Sequence, residues 1–105
     1  MFVPVTLLLT SIDDSQAAEA LARALVEQRL AACVQVSAAG NSVYRWQDGI
    51  ETDAEHYLQI KTTPQQSESV VAWLHEHHPY DVPEIIRLDG TAADAYGAWL
   101  NESCR

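Results

Sequence analysis

Residues 43–62 read VYRWQDGIETDAEHYLQIKT, and the pattern of this stretch decides the fold. Val43 to Gln47 is a short aromatic-rich run, and Glu51 to Thr62 is a longer alternating one. In the longer run Leu58 and Ile60 share one face, while Tyr57, Gln59 and Lys61 share the other, which is the period-two pattern of a strand. Between the runs, Asp48-Gly49 reads as a tight turn, because glycine tolerates the positive φ that such a turn needs. The stretch therefore predicts an antiparallel hairpin in the middle of the chain.

The flanks of this hairpin resemble each other. Upstream, Phe2 to Thr10 is a Val- and Leu-rich run that predicts a strand buried on both faces. Asp13, Asp14 and Ser15 offer N-caps. Ala18, Leu21, Ala22, Leu25 and Val26 then recur at helical spacing, which predicts a helix over 15–30. Cys33 to Val36 reads as a second strand, broken or bent by Ala38 to Asn41. Downstream, Thr63-Pro64-Gln65-Gln66 reads as a helix start, with Thr63 as N-cap and Pro64 at the first helical position. Val70, Val71, Trp73 and Leu74 supply that helix's apolar stripe, and Pro79 lies beyond its end. Ile85 to Leu88 reads as a short strand, and 92–103 as a short C-terminal helix. Two β-α-β halves around a hairpin predict an α+β, ferredoxin-like (split β-α-β) sandwich in one domain over 1–105. So small a sheet leaves one face uncovered. Tyr44, Trp46 and Tyr57 then need cover from a second copy of the chain.

Composition limits the partners. Six Lys and Arg stand against fifteen Asp and Glu, for a net charge of −9 on 105 residues. Phosphate backbones and anionic lipid surfaces need a basic face, so neither nucleic acid nor membrane is expected as a partner. No stretch approaches the roughly 20 apolar residues of a membrane span. The apolar N-terminus has no Lys or Arg before it, so it does not read as a secretory signal. Two widely separated cysteines, Cys33 and Cys104, read as reduced thiols of a cytoplasmic protein. The chain lacks phosphate-loop, nucleophile-elbow and RNA-binding signatures. No Ser or Cys has an evident adjacent base, so a non-enzymatic role is expected.

Three groups of residues could carry chemistry. His75-Glu76-His77-His78 offers imidazoles suited to copper, zinc or nickel; the same residues also serve a helix C-terminus electrostatically, with no metal. Lys61, the only lysine, falls among Tyr44, Trp46, Tyr80 and Glu84, a set able to orient a small anionic ligand or to pack a subunit interface. Glu51, Asp53 and Glu55 alternate on one strand face, where three carboxylates could hold Ca²⁺ or Mg²⁺; they read rather as a solvated or edge strand. Cys33 alone reads as a small apolar filler.

Four blocks, in order over roughly 5–101, resemble the CutA divalent-cation-tolerance family. They are Leu30-Ala31-Ala32-Cys33-Val34, Ser42-Val43-Tyr44-Arg45-Trp46, Ile60-Lys61-Thr62 and His78-Pro79-Tyr80-Asp81-Val82-Pro83-Glu84-Ile85. The resemblance implies a cytoplasmic homotrimer related to the trimeric PII signalling proteins, acting in the response to divalent metal ions. It implies copper(II) or another divalent ion at His77 and His78, not required for folding. The family's copper pattern adds a cysteine where this chain has Leu9. Glu76, a neighbouring subunit or water would have to complete the site. The resemblance also implies an inter-subunit cleft lined by Cys33, Tyr44, Trp46, Lys61, Tyr80 and Glu84. Two alternatives remain open at this point: a PII-like sensor of a small anionic ligand, and a structural platform for interactions.

Overall fold

The computed structural model describes residues 1–105, in the order β1 (Phe2–Ile12), α1 (Ser15–Glu27), β2 (Cys33–Val36), β3 (Gly40–Trp46), β4 (Gly49–Thr62), α2 (Ser67–His77), β5 (Ile86–Ala93), α3 (Asp94–Ser103). The sheet runs β2-β4-β1-β5, with β3 also paired to β4, and all pairings are antiparallel. β2 and β3 follow one another along β4, so together they take the place of one strand. The result is the ferredoxin-like βαββαβ arrangement, with α3 added.

The core lies between the sheet and the first two helices. Leu8, Ile12, Leu58 and Ile60 from β1 and β4 meet Leu21 and Leu25 of α1 and Val70 and Leu74 of α2. β1 differs from its expected burial on both faces. Thr6, Leu8, Thr10 and Ile12 are buried, whereas Val5, Leu7 and Leu9 are only half-buried. The cause is that helices cover one face only. On β1's other side chains, α3 packs over one end: Gly97 meets Val3, and Leu100 and Cys104 pack with Val5 and Ala32. A Cβ on Gly97 would stand 2.0 Å from Val3 Cγ2, so this contact requires glycine.

Helix α1 is capped by the Asp14 carboxylate, which accepts the Ala17 N–H at 2.8 Å. It ends three residues sooner than its apolar spacing predicts. Arg29 turns left-handed (φ 59°), and the Leu30 and Ala31 amides both donate to the Leu25 carbonyl. This closes the helix with a left-handed terminal residue in the position glycine usually takes. Helix α2 begins at Ser67. The expected Thr63 cap does form, but it closes a preceding turn, with Thr63 Oγ1 accepting the Gln66 N–H at 3.2 Å. The hairpin turn is Gln47-Asp48, not Asp48-Gly49, because Trp46 pairs with Gly49. The left-handed residue is accordingly Gln47 (φ 54°).

β4 is longer than the body of the sheet. Its second half, from His56, pairs with β1, and Leu58 to Lys61 also pair with β2. Its first half pairs only with β3. Residues 40–55 are thus a two-stranded arm, and the molecule measures 47 × 25 × 23 Å. Its radius of gyration is 14.5 Å, against about 13 Å for a compact chain of 100 residues.

Candidate functional site

The histidines expected to hold metal face different surroundings. His78, just past α2, is buried. Its Nε2 lies 3.1 Å from the Ser11 carbonyl oxygen, and its Nδ1 accepts the Tyr80 N–H at 3.1 Å. Nε2 must carry the proton, because a carbonyl only accepts, and Nδ1 must not, because an amide only donates. The ring is therefore a neutral imidazole with both nitrogens used. Burial holds its pKa below the usual histidine value, opposed by the Ser11 bond and the Glu55 charge. His77 is exposed and stacks on Trp73 with centroids 4.2 Å apart, its Nδ1 3.0 Å from the Trp73 carbonyl. Only His77 Nε2 is left to bind an ion. Leu9 lies on β1 opposite Gln59 and Ile86 and has no donor atom to offer. No group of three or more His, Cys, Asp or Glu side chains suits a metal ion. Within one subunit the residues do not fit a resident copper(II) ion. His78 could ligate only by surrendering a buried hydrogen bond, and one imidazole makes a weak site.

The second set is spread along β4. Cys33 is half-buried opposite Lys61. Lys61 Nζ lies 3.4 Å from the Tyr96 hydroxyl and 5.4 Å from its ring centre. It belongs to no ion pair. Beside it opens a cleft of about 300 Å³ walled by Val5, Leu7, Leu88, Asp89 and Leu100. Tyr44 sits far out on the arm opposite Glu51, its hydroxyl donating to Asp53. That bond pushes the Tyr44 hydroxyl up to about 12. Trp46 is 61% exposed beside the arm's tip. Ten residues of β4 separate the positions opposite Tyr44 and Cys33, about 33 Å at strand rise.

Tyr80 anchors elsewhere again. Its hydroxyl donates to Glu55 Oε2 at 2.8 Å, and Ser11 Oγ donates to the same oxygen at 3.3 Å. Burial and the Glu55 bond push the Tyr80 hydroxyl well above the usual phenol range. Glu84 is exposed in the loop before β5 and forms no ion pair. One chain thus brings Cys33 to Lys61 and leaves Tyr44, Trp46 and Tyr80 at separate stations. Lys61 does not meet Glu84.

Sequence reasoning missed Glu55 and Ser11. Glu55 was expected to be solvated with Glu51 and Asp53, yet it is the acceptor that joins β1, β4 and the 78–84 loop. Alternation could place Glu55 on a strand face, but nothing local names Tyr80 as its donor.

The sequence profile of the CutA1 divalent ion tolerance protein family matches residues 6–103. The chain belongs to this family. It is 37% identical over 102 residues to the divalent-cation tolerance protein CutA of Pectobacterium atrosepticum, covering 96% of this chain and 92% of that one. It is 36% identical over 104 residues to the chloroplastic CutA protein of Arabidopsis thaliana, covering 98% of this chain. The chain spans only 57% of that plant relative's length. The structure of CutA from Synechococcus elongatus in complex with a Bis-Tris molecule superposes with a TM-score of 0.88 at 36% identity, covering 98% of this chain and 99% of that one. A role in divalent-ion tolerance comes with the CutA1 family. No helix of this member is long and apolar enough to cross a membrane.

Proposed function

We propose that the chain works as a cytoplasmic, non-enzymatic homotrimer in the response to divalent metal ions, with its working site in a cleft between subunits. The observation that carries this reading is the arm. Val43, Trp46 and Ile50 are 66%, 61% and 58% exposed on a two-stranded ribbon that no other strand supports. An isolated hairpin is marginal in water and needs a further layer. A second copy supplies that layer, and it brings an arm bearing Tyr44 and Trp46 towards stations that one chain keeps apart. The number three is what the resemblance to the CutA family, and through it to the PII proteins, implies. The free thiols Cys33 and Cys104 suit a reducing compartment.

In this reading copper(II), or another divalent ion, is a weakly held ligand of His77 Nε2. It is not chelated by His77 and His78 together, and folding does not depend on it. Sedimentation equilibrium tests the assembly: the expected mass is three times the 11.6 kDa of one chain, and a monomer at all concentrations would overturn the proposal. Titration calorimetry with Cu²⁺ tests the ion: weak binding is expected, lost in His77→Ala and kept in His78→Gln. Tight binding lost equally in both would establish a chelate instead.

A second reading rests on Lys61. It belongs to no ion pair and borders a cleft walled partly by Val5, Leu7, Leu88 and Leu100, with Asp89 as the one carboxylate, and a lone cation in such a cleft can hold the anionic end of a small ligand. A metabolite panel that raises the melting temperature of the wild type, but not of Lys61→Ala, would favour this sensor reading.

A further inference from the structure

The arm joins the body at a built joint. Val36 pairs with Leu58, and the next pair in this direction is Gly40 with Glu55. Three residues, Ser37 to Ala39, therefore face two, His56 and Tyr57. This is a β-bulge, which bends its strand and increases the local twist. The extra residue also explains the faces. Val34 packs against the core, whereas Tyr44, an even number of residues later, lies opposite Glu51 on the other face of β4.

The bulge is pinned by specific bonds. The Ser37 N–H donates to the Tyr57 carbonyl at 2.9 Å. Ser37 Oγ accepts the Tyr57 N–H at 2.8 Å, standing in for a strand carbonyl, and donates to the Ala38 carbonyl at 2.7 Å. His56 Nδ1 lies 2.9 Å from the Ser37 carbonyl oxygen, which it can reach only as a donor. Glu55, the next residue of β4, takes the Tyr80 and Ser11 hydroxyls. Gly40 completes the joint: a Cβ there would stand 2.7 Å from the Tyr57 ring. Three consecutive residues at the root of the arm, Glu55 to Tyr57, are thus each held by a side-chain hydrogen bond to residues outside β4, while beyond them the arm has only its strand pairing and the Tyr44–Asp53 bond across it.

We propose that the bulge at Ser37–Ala39, clamped by Ser37 and His56, sets the direction of the arm, so that these two act as positioning residues for assembly with further copies of the chain. The inference rests on the homotrimer reading above. A ribbon pinned at its root behaves as a lever: a small change of bend at the joint moves Trp46 by several ångströms at the tip. Bulges re-aim strands in this way without altering the pairing on either side.

Deleting Ala38 tests the proposal. The deletion makes the count two against two, so every existing pair and face is preserved and only the bend is removed. Hydrogen exchange is expected to show arm and body amides protected as in the wild type. The concentration of half-assembly, by sedimentation velocity across a dilution series, is expected to rise at least tenfold. Protected pairing with unchanged assembly would overturn the proposal. Should the deletion fail to fold, Ser37→Ala combined with His56→Ala decides, with a several-fold rise expected and no change overturning it. A wild type that is monomeric throughout would overturn the homotrimer reading and this inference together. An assembled wild type beside an equally assembled deletion overturns this inference alone.

Discussion

β4 is one strand with two environments. From His56 onward it is flanked by β1, and Leu58 and Ile60 are sealed under α1 and α2, at most 1% exposed. Before His56 it has one neighbour, and Ile50 lies 58% exposed. Both halves alternate in the same way, so the difference lies in what covers them. The body is stabilised by its own core, while the arm is an uncovered ribbon that, in the homotrimer proposed above, further copies of the chain would complete.

The largest test of this contrast is to cut the same chemistry from each half. Ile60→Ala should cost about 3–4 kcal/mol in denaturant unfolding, through lost burial and a cavity. Ile50→Ala should cost under about 0.5 kcal/mol in a dilute single chain, yet weaken self-association by tenfold or more in sedimentation. Equal costs in both assays would erase the distinction between body and arm.

His78 gives the next effect. Replacing it with alanine leaves the Ser11 carbonyl and the Tyr80 amide without partners, at about 2 kcal/mol. Its lowered pKa also sets a sign. The unfolded chain takes up the proton first as pH falls, so this contribution is intact above the ordinary histidine value of about 6.5 and is lost progressively below it. The melting temperature should fall between pH 7 and pH 5, and His78→Gln should flatten that slope. A slope unchanged in His78→Gln would assign it to other groups.

Three smaller changes probe local costs. Thr10 Oγ1 is buried with no partner, so Thr10→Val should stabilise the body by about 1 kcal/mol. Arg29→Gly should add about 0.5–1 kcal/mol by relieving a left-handed backbone. Gln47→Gly relieves the same strain at the tip of the arm. Its effect on global unfolding should be smaller, because the arm adds little to that transition. An equal gain at both sites would mean that arm and body unfold together.

Much of the fold was legible because it rests on local pattern. The alternation of Leu58 and Ile60, the spacing of Ala18 to Val26 and the cap at Asp14 each act within a few residues. Boundaries shifted where a local capping turn overrode the periodicity. α1 stopped where Arg29 turned, and α2 began after a turn that had borrowed the Thr63 cap. The candidate site was less legible. His77 and His78 are adjacent in sequence and look equivalent, but the Ser11 carbonyl, 67 residues from His78, uses the one and leaves the other free. The carboxylates of the arm likewise look alike, and only Glu55 receives Tyr80.

Element types, the split β-α-β order, the acidic surface and the family could all be read from the chain, because they follow from composition, short-range periodicity and motif blocks. Tertiary structure decided which histidine is spent, which carboxylate is a hub, and where the sheet ends and the arm begins. The last depends on where β1 stops, opposite His56. Such a boundary has no meaning until β4 is laid alongside, because pairing register is a relation between two strands and is carried by neither alone.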